Sequence, residues 1–320
     1  MWLEKLGSQI SNLPLDGIQS PGQLSDLFKG ARGKVFDPPP DYKGAYLLEE
    51  DPWVPHESLL PDRPNCLGVD GSQIYPDPAE PLPWAYAHAM TTSPPGRYLS
   101  RFLAPGELLR ENAASGRKLI DIVRFGLELE LAANCAREKT GAVVLLDGPI
   151  LPPGRTSSGR RGLGRDLLDR ALTALDDAVK AGGIIAGFTP NGHARYLSNL
   201  LLTTVGEDND SRQMPLIDRK VVGSLIHSRQ RTALFKRVAL DGREVVFFYT
   251  TQGRVEFPFR PNPDVVNMVW SCLDNGYPPE LTAAHYLAVI PMGTASHLKA
   301  IIRSNLQEDL TEKGVAKLHS

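Results

Sequence analysis

Residues 142–152 read AVVLLDGPILP: an apolar run that ends on an aspartate and a glycine. A continuous apolar stretch with β-branched residues marks a strand covered on both faces, as in a parallel sheet. Upstream, GRKLIDIVRFGLELELAANCAREKTG sets Ile120, Val123, Leu127 and Leu131 at helical spacing until Gly141 stops the run. A helix feeding a buried strand implies a crossover connection. Past a loop the alternation returns, with RDLLDRALTALDDAVKAGG as helix, IIAGFT as buried strand and GHARYLSNLLLTT as a further helix. The predicted fold class is therefore α/β.

Working outward, residues 66–76, CLGVDGSQIYP, open with a second buried strand that also ends on Asp-Gly. PWAYAHAMTTS and GRYLSRFLA supply its neighbours in a meander. Beyond a polar linker, VGEDNDSRQMP, a helix from about Asp218 leads into EVVFFYTTQGRVEFPF, a hairpin turning at Gln252-Gly253. Helical patterns in NPDVVNMVWSCLDNG, PPELTAAHYLAVI and SHLKAIIRSNL follow. Residues 1–64 differ in kind. WLEKLGSQISNL and SPGQLSDLFKGAR are short helix-like pieces, and FDPPPDYKGAYLLEEDPWVPHESLLPDRP is rich in prolines, which fix φ and remove donors. They read as an arm whose stripe of Trp2, Leu3, Leu6 and Ile10 docks on its own body or on a partner. The predicted organisation is an arm over 1–64 and one domain over 65–320.

The 320 residues, 42% apolar, suffice for a large core. Lys+Arg 35 against Asp+Glu 37 gives a net charge of -2, so an anionic partner must be held by local patches. Cys66, Cys135 and Cys272 are widely spaced and odd in number, which argues against a disulfide framework and for a reducing compartment. The N-terminus lacks the features of a secretory signal, and no apolar run nears the roughly 18 residues a bilayer requires. A cytoplasmic protein with no membrane association is expected.

Asp70-Gly71 and Asp147-Gly148 admit two readings. Asp-Gly is ordinary turn chemistry. Alternatively, two carboxylates at comparable ends of adjacent strands repel, so one takes up a proton or both share a cation. Magnesium or manganese suits such oxygen ligands. On the intervening helix Glu128 and Glu130 flank the apolar stripe on opposite sides, as charged boundary residues or as a third acid. His285, among alanines and leucines, is either a core group or an imidazole that completes a metal site or moves protons; His88, His193 and His227 lack an equally buried setting. GRTSSGRRGLGRD carries Arg155, Arg160, Arg161 and Arg165, suited to phosphates or simply solvated. HSRQRTALFKR, with Arg229, Arg231, Lys236 and Arg237, either lines the same groove or coats a surface. For Tyr75, Tyr196 and Tyr249 core packing is favoured over base stacking.

In order, a strand with VDGS, a long helix with ELE, a strand with LLDGP, then GFTPNGHARYL, LIDRKVVGSLI, GRVEFPF and a late YPPELTAAHYLA resemble the NurA nuclease family over roughly residues 65–290. The resemblance implies a ribonuclease-H-like mixed sheet flanked by helices, in a homodimeric nuclease dependent on Mn²⁺ or Mg²⁺. It implies action on DNA ends, as 5′-to-3′ exonuclease and endonuclease, with a HerA-type hexameric ATPase as partner. Carried over singly, the catalytic and metal-binding groups it implies fall on Asp70, Asp147, His285 and one helix acid. Of Glu128 and Glu130 the choice is Glu130, whose spacing from Asp147 along the sequence is closer to the family pattern. Two departures stand out: Pro190 and Asn191 occupy a place where relatives often carry lysine, leaving Arg195 nearby, and the second motif reads Asp-Gly-Pro rather than Asp-Gly-Ser. Rival expectations are a DNA-holding adaptor of the ATPase and a phosphatase of small phosphoesters.

Overall fold

A strand that is apolar on both sides needs cover on both, and the arrangement of the chain supplies it. The computed structural model describes residues 45–48, 53–55, 63–77, 83–110, 116–151, 163–190, 192, 194–197, 217–223, 226–228, 230–238, 242–273 and 277–318. The arm provides two short strands, β1 (Tyr46–Leu47) and β2 (Trp53–Pro55). Its expected helical pieces lie outside the described residues. Next come β3 (Cys66–Ile74), β4 (Ala85–Thr91) and β5 (Tyr98–Leu103), an antiparallel meander as expected. A short helix, α1 (Pro105–Arg110), precedes α2 (Gly116–Glu138), whose Ile120, Val123, Leu127 and Leu131 are all buried. Gly141, at φ +82°, turns the chain out of that helix in a conformation that favours glycine.

β6 (Val143–Asp147) then runs parallel to β3, and α3 (Leu163–Lys180) carries the chain over to β7 (Ile184–Thr189), parallel to β6. Three antiparallel strands, a helix, a strand, a helix and a strand, with β3 between β4 and β6, make a ribonuclease-H-like mixed sheet. Val144 and Leu146 face the core made with α2 and α3. Val143 and Leu145 face the opposite core, where α5 (Pro263–Cys272) and α6 (Pro279–Ala288) pack. At the head of α5, Asn262 caps Val265 N–H at 2.9 Å and Pro263 fills the first turn.

Beyond β7 the sheet continues antiparallel. After α4 (Asp218–Gly223) come β8 (Gln230–Thr232), β9 (Phe235–Val238), β10 (Glu244–Tyr249) and β11 (Arg254–Phe257). The full order is β1-β9-β10-β11-β7-β6-β3-β4-β5, with β2 and β8 paired separately. The hairpin at Gln252-Gly253 stands where it is expected, between β10 and β11. β8 and β9 replace a direct passage from helix to hairpin, and they give the arm its seat: β1 pairs with β9 and β2 with β8. α7 (Met292–Leu318) follows α6, and Lys299 ties it to Asp77 at 3.2 Å. Among the described residues no helix is long and apolar enough to cross a membrane.

Candidate active site

Asp70 lies on the β3 face that α6 covers. Two positions back on that face is Gly68, where a Cβ would stand 2.1 Å from the carbonyl oxygen of Glu280. The missing side chain lets the first turn of α6 press onto the strand. Further along that helix is His285, whose Nδ1–H donates to Asp70 Oδ2 at 2.8 Å. Asp147 closes the neighbouring strand, and Gly148 leaves it at φ +137° with its N–H on the Phe188 carbonyl at 2.9 Å. Asp70, Asp147 and His285 thus each present a ligand atom, and these atoms lie within 4.8 Å of one another.

A third carboxylate comes from the other side of the sheet. Glu128, on α2 and only 4% exposed, accepts from Arg124 Nη1 at 2.5 Å. Its Oε1 would lie 2.5 Å from a Cβ at Gly71, so the glycine after Asp70 is where the helix acid meets the strand. Tyr277, just ahead of α6, hydrogen-bonds Asp147 and packs edge-on against Phe188 with centroids 5.6 Å apart.

This convergence carries an electrostatic cost. Burial pushes the Glu128 carboxyl up to about 8; the charges of Asp70 and Asp147 add to the rise, and Arg124 opposes it. Asp147 is raised as well, by burial first and by the Asp70 charge, against the Tyr277 hydrogen bond and the charges of His285 and Arg124. The Tyr277 phenol is raised by burial and by its bond to Asp147, which keeps it a donor. Two carboxylates and an imidazole within reach of one point form a donor set that fits Mn²⁺ or Mg²⁺.

Three of the four expected residues therefore come together, and Glu130 does not join them. Its carboxylate lies 3.8 Å from Arg170 of α3. Positions two apart on a helix point about 200° apart, so only one of Glu128 and Glu130 can face the strand acids. Of the two helix acids, Glu128 is the one that the packing of α2 brings to Gly71, beside Asp70. His285 is also less enclosed than expected, its side chain 58% exposed, whereas His88 is half-buried and donates through Nε2 to the Ala288 carbonyl at 2.6 Å. Tyr277 and Arg124 were not singled out by the sequence reading. Their signals are the place of Tyr277 before Pro278-Pro279 and the spacing of Arg124 one helical turn before Glu128.

The described members of the two basic runs have partners of their own. Arg155, Arg160, Arg161, Arg229, Asn191 and His193 lie outside the described residues, while Arg165 is exposed and pairs with Asp169 at 3.5 Å. Arg231 is buried over the rings of Phe248 and Trp270, 5.6 and 5.8 Å away. Lys236 pairs with Glu244 at 3.1 Å and Arg237 with the buried Glu256 at 3.5 Å. The described cations of this second run are thus structural. So are the tyrosines: Tyr249 donates to Asp218 at 2.5 Å, Tyr75 to Asp121 at 2.6 Å, and the Tyr196 ring packs against Arg237 and Arg254.

The NurA domain model matches residues 64–290. No curated protein matches the sequence. The crystal structure of the NurA nuclease from Sulfolobus solfataricus is similar at a TM-score of 0.52 and 16% identity, covering 95% of this chain and 98% of that one. A second NurA crystal structure stands at a TM-score of 0.42 and 12% identity, covering 78% of this chain and 90% of that one. The catalytic domain of human Endonuclease V stands at 0.33 and 15%, covering 78% and 87% respectively.

Proposed function

This chain belongs to the NurA family, and on that basis we propose that it is a metal-dependent DNA nuclease whose site is Asp70, Glu128, Asp147 and His285. The observation that carries the proposal is the meeting of Asp70, Asp147 and His285, with ligand atoms within 4.8 Å of one another. Asp70 and Asp147 would hold Mn²⁺ or Mg²⁺, which when bound supplies an activated water and steadies the leaving oxygen of a phosphodiester. The protein's own groups do the rest. His285 fixes Asp70 through Nδ1 and, being exposed, is placed to give a proton to the departing 3′ oxygen. Tyr277 holds Asp147 by its hydroxyl, and Glu128 stands behind β3 at Gly71, where the charges of Asp70 and Asp147 act on it.

Family membership supports the finer reading: attack on DNA ends as 5′-to-3′ exonuclease and endonuclease, as a homodimer in the cytoplasm, with a HerA-type hexameric ATPase as partner. The test is degradation of end-labelled DNA. Asp70→Ala is expected to abolish Mn²⁺-dependent cleavage while keeping the circular-dichroism spectrum of the parent, and chelator is expected to stop the parent. Cleavage by the variant at the parent rate would overturn the assignment.

A further inference from the structure

Arg124, on α2, touches the buried helix acid, and its position raises the question of what it does when a metal arrives. Its Nη1 holds Glu128 Oε1 at 2.5 Å, while its Nε is buried without a hydrogen-bond partner among the described residues. Its side chain is still 27% exposed, so the guanidinium reaches from the buried acid toward solvent. Its Cγ would lie 3.0 Å from a Cβ at Gly71, and its charge acts on Asp147 as well as on Glu128. This one guanidinium therefore opposes the crowding of negative charge at both Glu128 and Asp147.

Resting on the nuclease reading above, we propose that Arg124 is a displaceable counter-ion: a divalent cation takes Glu128 from it, and the released guanidinium then binds a phosphate of the nucleic-acid strand. Guanidinium matches a phosphate as well as it matches a carboxylate, through paired N–H donors. The exchange links metal loading to substrate binding. With the site empty, Arg124 is occupied by Glu128; with the site loaded, it is free at the point where the scissile strand must lie.

The test uses the full-length protein. Mn²⁺ binding by titration calorimetry is compared among the parent, Arg124→Gln and Arg124→Lys, alongside binding of a short single-stranded oligonucleotide in Ca²⁺ and in chelator. Arg124→Gln is expected to bind Mn²⁺ several-fold more tightly, because its competitor is gone, yet to bind the oligonucleotide roughly tenfold more weakly in Ca²⁺ and unchanged in chelator. Arg124→Lys, which keeps the charge but not the paired donors, should bind Mn²⁺ much as the parent does and fall between the parent and Arg124→Gln for the oligonucleotide in Ca²⁺. Weaker Mn²⁺ binding by Arg124→Gln would make the residue a scaffold for Glu128 and overturn the proposal, as would an equal loss of oligonucleotide binding with and without cation. A parent that binds neither Mn²⁺ nor the oligonucleotide would instead sink the nuclease reading itself.

Discussion

Glu128 is held in an environment that favours its neutral form, and its behaviour with pH follows. An acid whose pKa rises from 4.5 in the unfolded chain to about 8 in the fold keeps its proton in the native state after the unfolded state has lost it. Between those values its contribution to stability falls as pH rises, because the unfolded chain then binds fewer protons. A cation that takes the ionised form must expel that proton, so apparent Mn²⁺ affinity should climb from pH 6 to 8 with about one proton released per ion near pH 7. Calorimetry in buffers of different ionisation enthalpy measures that number directly. Glu128→Gln should lower Mn²⁺-dependent cleavage by roughly 100-fold, whereas Glu130→Gln, at a half-exposed ion pair with Arg170, should leave it within a factor of about two. Asp70 and Asp147 were legible because each follows a buried apolar run and precedes a glycine; Asp147 does end its strand, whereas β3 continues past Asp70 and Gly71 to Ile74. The choice between Glu128 and Glu130 was not, since both border the apolar stripe and only the packing of α2 on β3 decides which one faces Gly71.

At the scale of elements, the placement of α6 on β3 assembles the site, and Gly68 governs it. A methyl at Gly68 would collide with backbone rather than with a flexible side chain, since its nearest neighbours are the Glu280 carbonyl and the Leu281 nitrogen. Gly68→Ala is expected to destabilise the fold by about 1–3 kcal/mol in urea unfolding and to lower cleavage by shifting His285 off Asp70. Gly96→Ala, where no atom lies within 4 Å of the added Cβ, is the matched control and should be silent in both measurements. The alternation of α2, β6, α3 and β7 was legible in the sequence because its periodicities are strong. β8 and β9 were not: Arg231, Lys236 and Arg237 gave their segment the look of a basic surface, although aromatic rings and buried acids hold two of those charges inside. The strands of the arm were hidden for a related reason, since β1 and β2 exist only as partners of β9 and β8, far along the chain.

For the molecule as a whole, the acid cluster is a strain that a cation relieves, so metal binding should register as global stability. Mn²⁺ at a hundred times its dissociation constant adds about 2.7 kcal/mol, which for a chain of this size is a rise in Tm of several degrees by scanning calorimetry. Asp147→Asn should abolish that rise while changing the metal-free Tm little or upward, because it removes one of the repelling charges. The pairing of Asp70 with His285 has one more consequence, for it joins residues 215 positions apart. Synthesis delivers the polypeptide from its N-terminus, so a nascent chain carries both strand aspartates long before it acquires the imidazole. A site that needs His285 is therefore incomplete on the ribosome until that residue has been added, whatever the two aspartates have done before it.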